Sequence, residues 1–250
     1  MIIKGIILCE GASDQVLLGA YLEKINGWSF VRPKKNFPFQ DKNIIFYENS
    51  SNEYFAIWSS NGCNFKDAVG KIFELEKYEH TTESLVIITD YDDENAAKER
   101  PQAIFRTINE IISLDNYDQD ILVKNNNQWQ ELSYTAGFNR KIKMNFCYLL
   151  VPLDSQGALE TFMLNALSES SVSRKEVIEQ VKVFLRDLKS QVYLKQRRER
   201  IKAQLSVSVS VFAPERMFDT FKELISLVDW SLFDETNKQF KVLSEDKYLL

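Results

Sequence analysis

The sequence predicts an α/β fold: a mainly parallel sheet flanked by helices, with a helical C-terminal portion. Two observations carry this expectation. Four continuous apolar runs, at residues 2–9, 54–58, 85–89 and 146–153, have strand length and the uniform hydrophobicity of strands covered on both faces. Most of them precede a segment whose apolar residues recur at helical spacing, the order expected of parallel βαβ units.

Taken in order, residues 2–9 run into Glu10-Gly11, which breaks the strand. Ser13 is placed to cap a helix carrying Val16, Leu17, Ala20, Tyr21 and Ile25, ending at Asn26-Gly27. Residues 28–52 are polar and contain Pro33 and Pro38, so they read as a long connection with one strand near 43–47. The aromatic run 54–58 closes on Ser59-Ser60-Asn61-Gly62, and a helix over 65–78 follows through Phe65, Ala68, Val69, Ile72 and Phe73. LVIIT at 85–89 is the clearest buried strand. DYDD at 90–93 leads into a helix to about residue 113, with Pro101 in a first turn or at a kink.

Residues 115–145 read as an inserted polar hairpin in which Trp129, Leu132 and Tyr134 alternate. FCYLLVPL at 146–153 is the last core strand, followed by a helix through Glu160, Phe162, Met163, Leu164 and Leu167. Beyond residue 173 the chain is mainly helical. One stripe is Val177, Val181, Phe184, Leu185 and Leu188, and a second is Met217, Phe218, Phe221, Leu224, Ile225 and Val228. SVSVSVF at 206–212 fits a strand or a packed loop. The expected organisation is an α/β core over 1–170 and a helical extension over 171–250 packed on it.

Composition narrows the chemistry. At 250 residues, 44% hydrophobic and 27% charged, the chain has the make-up of a globular protein and can bury a core of its own. Three dispersed cysteines (Cys9, Cys63, Cys147) make neither a disulfide framework nor a cysteine zinc site, and a Ser-His-Asp triad would have to rest on the single histidine, His80. No segment approaches the roughly 18 apolar residues of a membrane span. A cytoplasmic protein without a membrane partner is the expectation. Because the formal charge is −5, contact with a nucleic acid would need a local basic patch or metal ions.

The informative feature is where the acids fall. Glu10 follows the first strand, Asp90 and Asp92 follow LVIIT, and Glu160 opens the helix after FCYLLVPL. In an open parallel sheet the ends of neighbouring strands line one crevice, so these acids are expected to meet there. Each has an ordinary alternative: a tight turn for Glu10-Gly11, a turn and helix cap for Asp90-x-Asp92, a dipole complement for Glu160. Jointly they point to a cation, because several charged carboxylates cannot share a site unneutralised. With no histidine or cysteine cluster, the cation that suits oxygen ligands is Mg²⁺, with Mn²⁺ as a substitute.

These residues resemble a TOPRIM domain, the acidic metal-binding fold of topoisomerases, DnaG-type primases and OLD-family nucleases. The resemblance rests on Glu-Gly in ILCEGASDQVLL and Asp-x-Asp in VIITDYDDEN, with Asp14 matching an acid that often follows the Glu-Gly. It is closer still to stand-alone bacterial TOPRIM-like proteins related to the OLD nucleases, in which a P…G-x-L-E segment follows the last core strand, here Pro152, Gly157, Leu159 and Glu160. It covers residues 2–170 in pieces, with a looser helical match to about residue 233. The resemblance implies a TOPRIM/Rossmann-like sheet and Mg²⁺-dependent phosphodiester hydrolysis of DNA or RNA. It gives Glu10 the role of general acid/base or second-metal ligand, and makes Asp90 and Asp92 the main ligands. Asp14 and Glu160 would be additional or supporting ones. OLD-type nucleases also use a downstream basic residue, for which Arg198 and Lys202, in the basic run at 195–202, are the candidates; a solvated helix face is the other reading of that run.

The chain is too short for the further domains of a topoisomerase, lacks a zinc module of a primase, and has no P-loop: Gly62 to Gly70-Lys71 has the wrong spacing. Two rivals remain to the hydrolase. One is a non-catalytic or partner-dependent module working with a separately encoded ATPase. The other is a receiver-like or haloacid-dehalogenase-like phosphate enzyme, disfavoured because its nucleophilic Asp belongs where this chain has Glu10.

Overall fold

The uniform hydrophobicity of the strand runs becomes burial on two sides. In the computed structural model, which describes residues 3–33, 37–39, 41–60, 65–78, 82–112, 127–136, 139–188, 192–216 and 219–244, seven strands form one sheet. They are β1 (Ile3–Cys9), β2 (Ser29–Val31), β3 (Ile44–Glu48), β4 (Tyr54–Ser59), β5 (Thr82–Asp90), β6 (Trp129–Ala136) and β7 (Arg140–Val151), in the order β2-β3-β4-β1-β5-β7-β6. The central four, β4, β1, β5 and β7, are mutually parallel, while β2, β3 and β6 pair antiparallel at the two edges. The α/β class and the mainly parallel sheet stand as expected.

Successive residues of a strand face opposite sides, so each central strand serves two cores. Ile7, Cys9, Val86 and Ile88 pack into one, beneath α1 (Ala12–Asn26), α4 (Leu159–Ser170) and the C-terminal helices. Ile6, Leu8, Leu85 and Ile87 pack into the other, beneath α2 (Phe65–Glu76) and α3 (Glu94–Ile111). Each fully buried Ile or Leu contributes about 1.5–3 kcal/mol. The C-terminal helices are α5 (Val172–Asp187), α6 (Arg197–Phe212), α7 (Phe221–Leu227) and α8 (Asp234–Gln239). Polar ties fix them to the sheet: Gln239 donates through Nε2 to the Leu150 carbonyl (2.9 Å) and accepts the Leu153 N–H (2.6 Å), and Trp129 Nε1 donates to the Val242 carbonyl (2.9 Å).

Several elements differ from expectation. Residues 28–52 hold two strands, because β2 pairs with β3 through Ser29, Phe30 and Val31. The polar hairpin forms the sheet edge: β7 begins at Arg140, and Leu132, Tyr134 and Ala136 alternate inward from β6. SVSVSVF is neither strand nor loop but the end of α6, with Leu205, Ser208 and Val209 buried at helical spacing. Phe184 leaves its predicted stripe and is exposed, while Val181 and Leu185 stay in. Pro101 lies in the interior of α3, not in its first turn. His80, Cys63, Met217, Phe218 and residues 113–126 lie outside the described residues. Among those described, no helix is long and apolar enough to cross a membrane.

Candidate metal centre

Since β1, β5 and β7 are parallel, their carboxyl ends open on one edge, and the strand order reverses at β1 there. Glu10 directly follows β1, Asp90 is the last residue of β5, and the loop after β7 delivers Glu160 in the first turn of α4. Backbone bonds fix these ends together. The Tyr91 N–H donates to the Val151 carbonyl (2.8 Å) and the Gly157 N–H to the Tyr91 carbonyl (2.7 Å), so the Asp90-x-Asp92 turn is pinned to both sides of the β7–α4 loop. Glu10 Oε1 accepts the Asp90 N–H (3.0 Å), and Asp90 Oδ1 accepts the Leu159 N–H (3.1 Å).

Helix capping decides which acids are left for the site. At α3 the cap is Asp93, whose Oδ1 accepts the Ala96 N–H (2.8 Å), leaving Asp90 and Asp92 free of that task. At α1 Ser13 lies inside the first turn and is not the cap. Asp14 reaches back to accept the Gly11 N–H (2.7 Å), which holds its carboxylate beside Glu10.

Glu10, Asp14, Asp90 and Glu160 are buried, and Asp92 is partly exposed at the edge of the cluster. Asp90 is 5% exposed, and burial together with the neighbouring Glu10, Asp14 and Glu160 pushes its carboxyl up to about 8, against the opposing Leu159 N–H. Asp14 is pushed up to about 7 by burial and by Glu10 and Glu160, although the Gly11 N–H pulls it down. Beneath them Cys9 is fully buried, and burial with Asp14, Glu10 and Asp90 raises its thiol well above the usual range.

Among the described residues three cations pair with acids of this cluster. Arg100, from α3, donates through Nη1 to Glu10 Oε1 and to the Asp90 carbonyl (both 2.9 Å), and through Nη2 to Asp92 Oδ2. From α6, Arg198 Nη2 lies 3.4 Å from Asp90 Oδ2 and Lys202 Nζ lies 3.6 Å from Glu160 Oε1. Residues 198 and 202 are four apart and so share one helix face. All seven residues singled out from the sequence, Glu10, Asp14, Asp90, Asp92, Glu160, Arg198 and Lys202, thus come to one edge of the sheet. Arg100 was missed. It stands eight residues beyond Asp92 in a mixed-charge helix, and its one signal was the charge itself.

Five carboxylates against three cations leave a formal excess of two negative charges, which two protons or one divalent cation would balance. The donor set fits a hard cation in kind, because it is all oxygen. In arrangement it is held by the chain's own cations: among the described residues no three His, Cys, Asp or Glu side chains are grouped as metal ligands. A cleft of about 160 Å³ opens beside the cluster between Asp92, Gly157, Glu160, Arg197, Arg198 and Ile201. A second, of about 270 Å³, lies at Ser13, Glu160, Lys202 and Ser206. A larger groove of about 750 Å³, past Phe39, Trp58, Lys71 and Leu75, carries none of the seven residues.

No curated protein matches this chain. Among solved structures it is similar to hypothetical protein PH0156 from Pyrococcus horikoshii OT3, at 13% identity and a TM-score of 0.47, over 97% of this chain and 100% of that one. The family DUF3226, described as a protein of unknown function, matches residues 4–241, and the chain belongs to it.

Proposed function

We propose that the protein is a Mg²⁺-dependent phosphodiester hydrolase of the TOPRIM/OLD-related type, acting on DNA or RNA. The observation that carries this reading is the convergence of Glu10, Asp14, Asp90, Asp92 and Glu160 from three strand ends, two of them with raised carboxyls, beside an open cleft. Asp90 and Asp92, with Glu10, Asp14 and Glu160 in support, would hold Mg²⁺ or Mn²⁺. When bound, such an ion supplies an activated water and a Lewis acid for the leaving oxygen.

The chain's own residues account for the rest. Glu10 is oriented by Arg100 and the Asp90 N–H, as a general base must be. Arg198 and Lys202, exposed on α6 at the rim of the cavities, can turn from Asp90 and Glu160 to a phosphate and offset its charge. Gly157 and Ala158 also line the cleft. The expected result is cleavage of DNA or RNA with Mg²⁺ or Mn²⁺, abolished by Asp90→Asn or Glu10→Gln. Failure of the purified protein to bind any divalent cation at micromolar concentration would overturn it.

One observation favours a second reading. Glu10, Asp90, Asp92 and Glu160 each already face an arginine or lysine of the same chain. A module that stays in this state until a partner such as a separately encoded ATPase docks on the helical extension would be inactive alone. Activity that appears only on adding such a protein would support this second reading.

A further inference from the structure

The α5–α6 hairpin carries more positive charge than the carboxylate site uses. Residues 192–202 contain Lys195, Arg197, Arg198, Arg200 and Lys202 against Glu199 alone, in a chain whose net charge is −5. Arg198 and Lys202 already face Asp90 and Glu160, and Glu199 serves the helix start, where its Oε2 accepts the Gln196 N–H (2.8 Å). Lys195, Arg197 and Arg200 are exposed and have no acidic partner among the described residues. Among the described residues, Arg197 and Arg200 donate to the carbonyls of Gln156 (3.3 Å) and Leu194 (2.7 Å). Arg197 also lines the cleft beside Asp92, so the basic face is continuous with the carboxylate site.

Beside these cations stands a largely exposed aromatic ring. Leu194 is buried in a small apolar cluster with Val181 and Leu185, which anchors the turn before α6. Its neighbour Tyr193 is 83% exposed, and Phe184, near the end of α5, is 55% exposed. Arg197 is four positions beyond Tyr193, at most ~14 Å of extended chain. A row of unpaired cations that ends on a bare aromatic face suits a polyanion with free π faces. Phosphates take the cations and an unstacked base takes the ring, whereas a duplex keeps its π faces covered.

We infer that the α6 end of this hairpin is a binding surface for single-stranded nucleic acid. Phosphates lie on Lys195, Arg197 and Arg200, a base stacks on Tyr193, and the strand is led to the cleft at Arg197. The inference rests on the phosphodiester reading of that cleft, but binding at the surface needs no metal and can be measured apart from cleavage.

The test is fluorescence anisotropy of a labelled single-stranded oligonucleotide, as DNA and as RNA, with the full chain in EDTA. The wild-type chain binds the single strand more tightly than the matching duplex. Tyr193→Ala weakens single-strand binding about tenfold. Lys195→Gln lowers the slope of log affinity against log salt by about 0.7. Lys175→Gln, at the opposite end of the hairpin where Arg174 lies 5.7 Å over the Phe212 ring, leaves both unchanged. Equal affinities for wild type and Tyr193→Ala, or tighter binding of the duplex, overturns the inference. Strand binding through these residues with no cleavage once Mg²⁺ or Mn²⁺ replaces the EDTA would keep the surface and sink the hydrolase. Cleavage by a chain whose binding ignores Tyr193 and Lys195 would do the reverse.

Discussion

Arg100 spans acceptors from two strand ends with one guanidinium, and it is the residue whose loss the site should feel most. Glu10 is buried, so removing its cation leaves a carboxylate held, among the described residues, by the Asp90 N–H alone, while the partly exposed arginine loses less. Arg100→Gln is expected to lower the stability of the metal-free protein by about 2–3 kcal/mol in urea unfolding, and Glu10→Gln in the same chain to recover part of it. The raised carboxyls of Asp14 and Asp90 make a second prediction. Between about pH 4 and about pH 8 the native state holds protons that the unfolded state has released, so stability falls as pH rises through that window and levels off above it. Thermal melts of metal-free protein should follow this slope, and Asp90→Asn should flatten it; stability that rises over the window would contradict the burial argument. At this scale Glu10 and Asp90 were legible because each stands directly after an apolar run, with Asp92 and Glu160 in the turn or helix start that follows one, while Asp14 came only through the resemblance. Arg100 was not, because no spacing rule ties an arginine on a helix to a carboxylate before it. Ser13 misled for a related reason: two capping groups lay within one turn, and Asp14 won.

Elements hold the site by close approach. A Cβ on Gly157 would lie 2.8–2.9 Å from the Cβ, Oγ1 and Cγ2 atoms of Thr161, a short branched side chain whose Oγ1 accepts the Ala158 N–H (3.3 Å). Gly157→Ala should therefore push the β7–α4 loop off the start of α4, cost about 1–3 kcal/mol in unfolding, and weaken cation binding along with it. A Cβ on Gly19 would meet the Tyr47 hydroxyl at 1.9 Å, which ties α1 to β3 in the same way. The central strands were legible because burial on both faces writes itself as an unbroken apolar run. The edges were not: Ser29, Phe30 and Val31 have too little pattern to announce β2, and the lower half of β7 is polar because it faces only a hairpin partner. SVSVSVF has a period of two, yet it continues an arginine-rich helix start, and the packing of Leu205 and Val209 overrides the β-branched preference.

Across the whole molecule the sheet brings together what the chain keeps apart. Glu10 and Glu160 are 150 residues from one another, and both arrive at one edge because β1, β5 and β7 are parallel and neighbouring. The class of fold could be foreseen from the alternation of runs. The pairing of Arg198 with Asp90 and of Lys202 with Glu160 could be suspected only through family likeness, since the packing of a C-terminal helix leaves no local trace. If the excess negative charge is settled by a cation, Mg²⁺ at about a hundred times its dissociation constant should stabilise the protein by ~2.7 kcal/mol, and a melting curve would register it. The most direct test is calorimetric titration of Mn²⁺ and Mg²⁺ into the wild-type protein and Asp90→Asn at neutral pH, in two buffers of different ionisation heat. Saturable binding with proton release, lost or much weakened in Asp90→Asn, is the predicted result. No binding to the wild-type chain, or binding that ignores Asp90, would contradict the view that these carboxylates gather around a divalent ion.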